Sequence, residues 1–339
     1  MRGEDGKDRK IMLLIYPPLA KACEPPAGLA MLAGALRGHG HPCTMLDANL
    51  EGQLHLLRNN PPGRDTWSRR AHRHRAANLA ALRDPGLYAE PARYHRAVSD
   101  LSRTLGGIGR DDLTINLANY QDHNLSPLRS ADLLRAADHP AGNLFYDYFA
   151  PRLDELLQQS PPHLIGFSIN YLSQALTAFA MIGYLKRKHP GLPIAAGGGL
   201  ITSWLSTPAV TDHGIRHPGL ANLPAGKRLQ GGGDARHRLA MCSAVHEQAD
   251  NTADSVSCDR LPPPRRDPFN GLIDHLVAGP GEGTLLNILA GQATAEENDN
   301  ICPDFKGLPL ADYLAPGPIL PYAASSGCYW RQCSFCPEK

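Results

Sequence analysis

Continuous apolar runs alternating with helix-period segments organise this chain. Lys10-Ile11-Met12-Leu13-Leu14-Ile15-Tyr16 ends at Pro17-Pro18 and fits a strand covered on both faces of a parallel sheet. Leu29, Leu32, Ala33 and Leu36 recur at helical spacing up to His39-Gly40, and Pro42 to Asp47 reads as a second strand with Asp47-Ala48-Asn49 at its carboxyl end. Strand, helix and strand in so short a span predict a βαβ unit. A helical passage comes next, with Tyr94, Val98, Leu101 and Leu105 on one face and Phe145, Phe149, Leu153, Leu156 and Leu157 on another. The α/β pattern resumes at His163 to Ser168, a third buried strand, and continues with a helix from about Leu172 to Lys188. Pro193 to Ala196 predicts a fourth strand running into Gly197-Gly198-Gly199. Leu272 to Ala278 predicts a fifth, succeeded by Gly279-Pro280-Gly281-Glu282-Gly283 and a helix through Leu285, Leu286 and Leu289.

This pattern predicts an α/β fold, a Rossmann-like doubly wound parallel sheet over residues 10–300 with a helical insertion at 58–160. Residues 208–266 interrupt it, holding no Phe, Trp or Tyr and containing Gly231-Gly232-Gly233 and Pro262-Pro263-Pro264. They predict a disordered insertion outside the functional fold, since Trp204 and Arg266-Asp267-Pro268-Phe269 would join naturally without it. Residues 301–318 read as a linker, and Ile319 to Ala324 as an edge strand or the first strand of a second domain.

Bulk properties narrow the function classes. Lys and Arg number 34 against 33 Asp and Glu, so no global field recruits nucleic acid or an anionic membrane. The run Ile11–Tyr16 is too short for a signal-peptide core or a membrane span, and the expected location is the cytoplasm. Arg69-Arg70-Ala71-His72-Arg73-His74-Arg75 reads as the solvated face of a helix; with no aromatic residue interleaved, nucleic acid is left out of the expected partners. Gly279 to Gly283 lacks the Lys-Ser/Thr of a P-loop and does not match GxGxxG.

Cysteine placement changes the picture. Of eight cysteines, Cys328, Cys333 and Cys336 fall within nine positions, whereas Cys23, Cys43, Cys242, Cys258 and Cys302 are scattered and read as ordinary thiols. In a reducing compartment a cluster of three is a soft-metal ligand loop, suited to an iron–sulfur cluster or zinc. Three thiolates leave one iron of a cubane open to a substrate or cofactor. Phe335, Tyr329 and Trp330 would shield it.

The order of the Ile11–Tyr16 strand ending in Pro-Pro, Pro25-Pro26-Ala27-Gly28-Leu29-Ala30, Gly38-His39-Gly40-His41, Asp47, Ile165-Gly166-Phe167-Ser168, Gly197-Gly198-Gly199, Gly279-Pro280-Gly281-Glu282-Gly283 and Gly327-Cys328…Cys333-Ser334-Phe335-Cys336 resembles the cobalamin-binding radical SAM enzymes. The resemblance implies a Rossmann-like cobalamin domain leading into a partial (β/α) barrel, here truncated to its first strand and cluster loop at 319–339. It implies a 4Fe–4S cluster on Cys328, Cys333 and Cys336, S-adenosylmethionine on the open iron, cobalamin as second cofactor, and an electron donor such as flavodoxin or ferredoxin. Reductive cleavage of S-adenosylmethionine would give a 5′-deoxyadenosyl radical, with methyl transfer to an unactivated carbon as one outcome. Ser168, Gly197, Gly198, Gly199, Gly279 and Glu282 are the candidate lining of the cobalamin site, because they fall at carboxyl ends of predicted strands.

The chain departs from the family in three respects. Cys328 and Cys333 enclose four residues where the family usually has three; no Asp-x-His-x-x-Gly element supplies a histidine to cobalt, Asp212-His213-Gly214 not fitting it; and the sequence stops at Lys339, leading to the expectation of an amino-terminal fragment. Cys-x4-Cys-x2-Cys is also the run of plant-type 2Fe–2S ferredoxins, which need a fourth cysteine. Structural zinc with a remote ligand such as Cys302, and a cobalamin- or small-molecule-binding module without catalysis, are the other readings.

Overall fold

A computed structural model describes residues 10–107, 110–206, 268–290 and 301–321. In chain order it contains β1 (Met12–Tyr16), α1 (Ala27–Gly38), β2 (Cys43–Asp47), α2 (Ala48–Asn59), α3 (Thr66–Ala81), α4 (Pro85–Tyr88) and α5 (Pro91–Gly106). Then come the hairpin of β3 (Leu113–Ile115) and β4 (Tyr120–Asp122), α6 (Ser130–Asp138), α7 (Tyr146–Gln159), β5 (Leu164–Ser168), α8 (Leu172–Lys188), β6 (Ile194–Gly197), α9 (Gly199–Ser206), β7 (His275–Leu276) and α10 (Glu282–Ala290).

Five strands form one parallel sheet in the order β2-β1-β5-β6-β7. Met12 lies opposite Cys43 on one side and Leu164 on the other, Ile165 opposite Ile194, and Ala195 opposite His275. Every residue of β1 and β5 is buried, which explains their unbroken apolar runs. The pleat sorts them into two layers. Leu13, Ile15, Leu46, Ile165 and Phe167 face the thick layer of α2 and α5 to α9, whereas Met12, Leu14, Tyr16, Met45 and Ala195 face α1 and α10. Helices on both faces of a parallel sheet are the doubly wound arrangement expected from the sequence. The order reverses between β1 and β5, and the crevice outside the carboxyl ends there is where such sheets bind ligands.

Four expectations change. The insertion between β2 and β5 is not wholly helical, since Leu113 to Ile115 pairs antiparallel with Tyr120 to Asp122. The fifth strand is two residues long instead of the run Leu272–Ala278: Phe269 to Ile273 turns on itself, with Leu272 N and Ile273 N bonded to Phe269 O. Residues 319–321 form no strand, and Ile319 and Leu320 are exposed. Finally, 301–318 is not a free linker. Asp304 N bonds to Ala30 O, Arg37 pairs with Asp304 at 2.7 Å, Leu314 N bonds to Ala22 O, and Leu308, Tyr313, Leu314 and Ala315 are buried. This segment is a strap across α1 and the carboxyl ends of β1 and β2. The expected insertion 208–266 and the start of a barrel from Tyr322 onward lie outside the described residues, which include no helix long and apolar enough to cross a membrane.

Candidate functional site

Small residues open a slot between the sheet and the α1/α10 layer. On that face β5 presents Gly166 and Ser168, and β6 presents Ala195 and Gly197. The register pairs Gly166 with Ala195 and Ser168 with Gly197, which makes a flat floor of four residues across two strands. Larger side chains would fill it: a Cβ at Gly166 would already stand 2.8 Å from Met12 Cε, and one at Gly197 3.3 Å from Val277 O. Gly28, Leu29 and Leu32 of α1 form one wall and Pro280, Gly281, Glu282 and Leu285 the other, enclosing about 160 Å³. Most of the lining is apolar, with Ser168, Asn170 and Glu282 as polar side chains. A space of this order admits a flat aromatic ring.

The slot meets a second, wider space at Gly28 and Asn170. This crevice, about 570 Å³, is lined by Tyr16, Lys21, Cys23, Glu24, Tyr171, Ser173 and the strap's Pro321, among others. It sits over the β1/β5 reversal. Its floor is fixed by buried amides: Asn49 Oδ1 accepts from Ala20 N at 2.7 Å, Gln53 Nε2 donates to Ala20 O at 2.7 Å, and Gln174 Nε2 donates to Pro17 O at 2.8 Å. The loop after β1 is thereby held by α2 on one side and α8 on the other. A preformed crevice loses less ordering entropy when a ligand enters.

Asn170 joins the two spaces. Its backbone N donates to Gln174 Oε1 at 2.8 Å, its Oδ1 accepts from Gly199 N at 2.8 Å, and its Nδ2 reaches Ser168 Oγ at 3.3 Å. Gly198 beside it has φ +104°, and a Cβ there would fall 2.6 Å from Ile169 O, so only glycine fits the turn. Deeper in, Asp47 caps α2 by accepting from Leu50 N at 2.9 Å and accepts from Tyr313 Oη at 2.6 Å. Burial pushes its carboxyl up to about 6. Burial also pushes the Tyr16 phenol up, with Tyr171 and Asp47 adding to the effect, and raises the Cys23 thiol, which leaves it a poor nucleophile.

Of the residues that the sequence points to, Ser168, Gly197, Gly198, Gly279 and Glu282 are brought together around the slot. Gly199 stands behind it, where its N–H serves Asn170. Gly28, Gly166, Asn170 and Tyr16 complete the site; the sequence marks Gly28, Gly166 and Tyr16 only as parts of the motifs that carry the resemblance, not as lining, and gives Asn170 no signal beyond a place after a strand. Cys328, Cys333 and Cys336 lie outside the described residues, as do Cys242 and Cys258. Cys23, Cys43 and Cys302 are free thiols, and among the described residues no group of three His, Cys, Asp or Glu could hold a metal ion. Comparison with descriptions of protein families, with curated proteins and with solved structures finds no match to this chain.

Proposed function

We propose that the chain belongs to a cobalamin-dependent radical SAM enzyme, with the slot and crevice as the corrinoid site and Cys328, Cys333 and Cys336 as ligands of a 4Fe–4S cluster. The observation that carries the first half is the floor of Gly166, Ser168, Ala195 and Gly197 beside the strand-order reversal. It fits a cofactor that must place a flat apolar arm between sheet and helices and a broad polar rim outside them. Gly28, Ala195 and Gly197 would contact the arm, Ser168 Oγ would supply a polar partner held by Asn170, and Tyr16, Tyr171 and Ser173 would meet the rim.

The second half rests on the spacing of the three cysteines and on the strap. Pro321 lines the crevice, and Cys328 is seven residues further on, a covalent reach of at most about 25 Å. When bound, the cluster would supply the electron that cleaves S-adenosylmethionine, and the corrinoid a transferable methyl group. The protein's part is to place them side by side and keep water from the slot.

Anaerobic reconstitution with iron and sulfide, then electron paramagnetic resonance, tests the cluster: a signal altered by S-adenosylmethionine is expected, and an iron-free, zinc-loaded chain would overturn it. Titration with hydroxocobalamin, monitored in the visible spectrum, tests the corrinoid site; no spectral change at high micromolar ligand would remove it. A binding module without catalysis is the second reading, because slot and crevice are built almost wholly from the α/β domain. It is favoured if hydroxocobalamin binds and no cluster assembles.

A further inference from the structure

The α3–α5 hairpin contributes nothing to the slot or the crevice, yet it concentrates charge. From Arg58 to Gly107 the chain carries ten arginines against four acidic side chains, in a protein whose formal net charge is +1. Three of those acids are committed locally: Asp65 caps α3 through Trp67 N and Ser68 N, Asp84 caps α4 through Gly86 N, and Glu90 pairs with Arg93. Arg75 is also occupied, against His72 and Arg58 O. The guanidinium groups of Arg64, Arg69, Arg70, Arg73 and Arg96 are exposed and have no hydrogen-bond or ion-pair partner among the described residues.

Helical spacing sets these charges side by side. Arg69 and Arg73 are one turn apart and Arg70 and Arg73 three residues apart, an arrangement of like charges that weakens a helix unless an anion relieves it. Trp67 is on the same helix, 62% exposed, with Arg103 of α5 stacked over its ring at 5.9 Å. That contact joins the start of α3 to the end of α5, so the two helices run antiparallel. Tyr88 and Tyr94, partly exposed and tilted at 44° to each other with ring centroids 5.1 Å apart, stand at the other end of the hairpin. Exposed aromatic groups thus stand at both ends of the hairpin that carries the Arg69–Arg75 run.

From this juxtaposition we infer that the α3–α5 hairpin binds single-stranded RNA. Unpaired guanidinium forks match phosphate oxygens two at a time, and exposed rings offer stacking platforms to unpaired bases. RNA is the nucleic acid that commonly displays such bases in loops and ends. An acidic protein would engage the arginines but leave Trp67 without a role. A bilayer is disfavoured because the remaining exposed residues of α3 are Thr, Arg, His and Ala, which provide no apolar face to insert. This inference is independent of the cofactor reading.

The test is fluorescence anisotropy of labelled oligouridylate of about twelve nucleotides with the full chain at about 50 mM salt. Saturable binding is expected, with the logarithm of affinity falling linearly against the logarithm of salt concentration. The combined substitution Arg69→Glu, Arg70→Glu, Arg73→Glu should weaken it at least about tenfold. Trp67→Ala should weaken it at least about fivefold. Lys306→Glu, on the strap, should leave it unchanged, and circular dichroism should show all variants folded. The inference is overturned by no binding at about 100 μM chain, or by equal binding of wild type and the folded triple variant. It is equally overturned by tighter binding of oligothymidylate, of polyglutamate or of anionic phosphatidylglycerol vesicles than of oligouridylate.

Discussion

Tyr313 Oη donates a 2.6 Å hydrogen bond to Asp47 Oδ2, tying the strap to the carboxyl end of β2 across 266 residues of sequence. Both groups are buried, and the carboxyl ionises at about 6 instead of its ordinary 3.8, because burial outweighs the hydrogen bonds from Tyr313 and Leu50. Between those two values the folded chain holds a proton that the unfolded chain has released. The contribution of Asp47 to stability is therefore greatest below pH 3.8 and is lost as the pH rises through 6, by at most about 3 kcal/mol. Asp47→Asn keeps the shape and removes the titration. Urea unfolding from pH 4 to pH 8 should show the Asn variant gaining on the wild type as pH rises; a difference that stays flat would show that the buried carboxyl is not proton-linked.

Gly28 is the hinge point between slot and crevice, and a Cβ there would make only an ordinary 3.8 Å contact with Ser168 Oγ. Gly28→Leu should leave the helix intact, leucine being the better helix former, while its side chain blocks the mouth of the slot. We expect an unchanged or slightly raised melting temperature and loss of the hydroxocobalamin spectral change, about tenfold or more in affinity, since a filled slot cannot hold a flat arm. Binding at wild-type strength would move the corrinoid away from this slot.

Asp47 and Gly28 show what a single sequence displays and what it hides. β1, β5 and α8 are legible because burial on both faces writes an unbroken apolar run, or a strong helical period, into neighbouring residues. Gly197 and Gly198 are legible because glycine at a strand end marks a close approach, and Gly279 because glycine there serves a turn at positive φ, +72°. Asn170 is not, since one amide after a strand has no period; its role lies in reaching Ser168 and Gly199 at once. The strap is hidden for a similar reason, its partners Ala22, Ala30, Arg37 and Asp47 being more than 260 residues away. Trp67 is hidden because its arginine partner is on another helix.

Gly34 gives the strap a test of its own. A Cβ at this position would collide with the backbone carbonyl of Cys302, so α1 and the strap meet with no side chain between them. Alanine is the better helix former, and in a helix free of contacts Gly34→Ala would stabilise. Here the collision should win, costing about 1 to 3 kcal/mol by overpacking. Limited proteolysis should then cut within 301–318 much faster than in the wild type. Rapid cutting in the wild type itself would mean that the strap is loosely held. Arg37→Ala should act in the same direction but more weakly, because the half-exposed Arg37–Asp304 pair contributes under about 1 kcal/mol.

Cys328→Ala, Cys333→Ala and Cys336→Ala separate the two halves of the proposed site. If the three thiolates hold one cubane, each single substitution should remove most of the iron after anaerobic reconstitution and abolish the S-adenosylmethionine-dependent change in the resonance signal, because a cubane held by two protein ligands is readily lost. None should alter hydroxocobalamin binding, whose residues lie in the α/β domain. Cys302→Ala is the matching control. Its thiol is exposed on the strap, and it should leave both readouts unchanged. Loss of bound zinc on Cys302→Ala, with no iron in the wild type, would instead assign the cysteines to a structural zinc site that uses Cys302 as its fourth ligand.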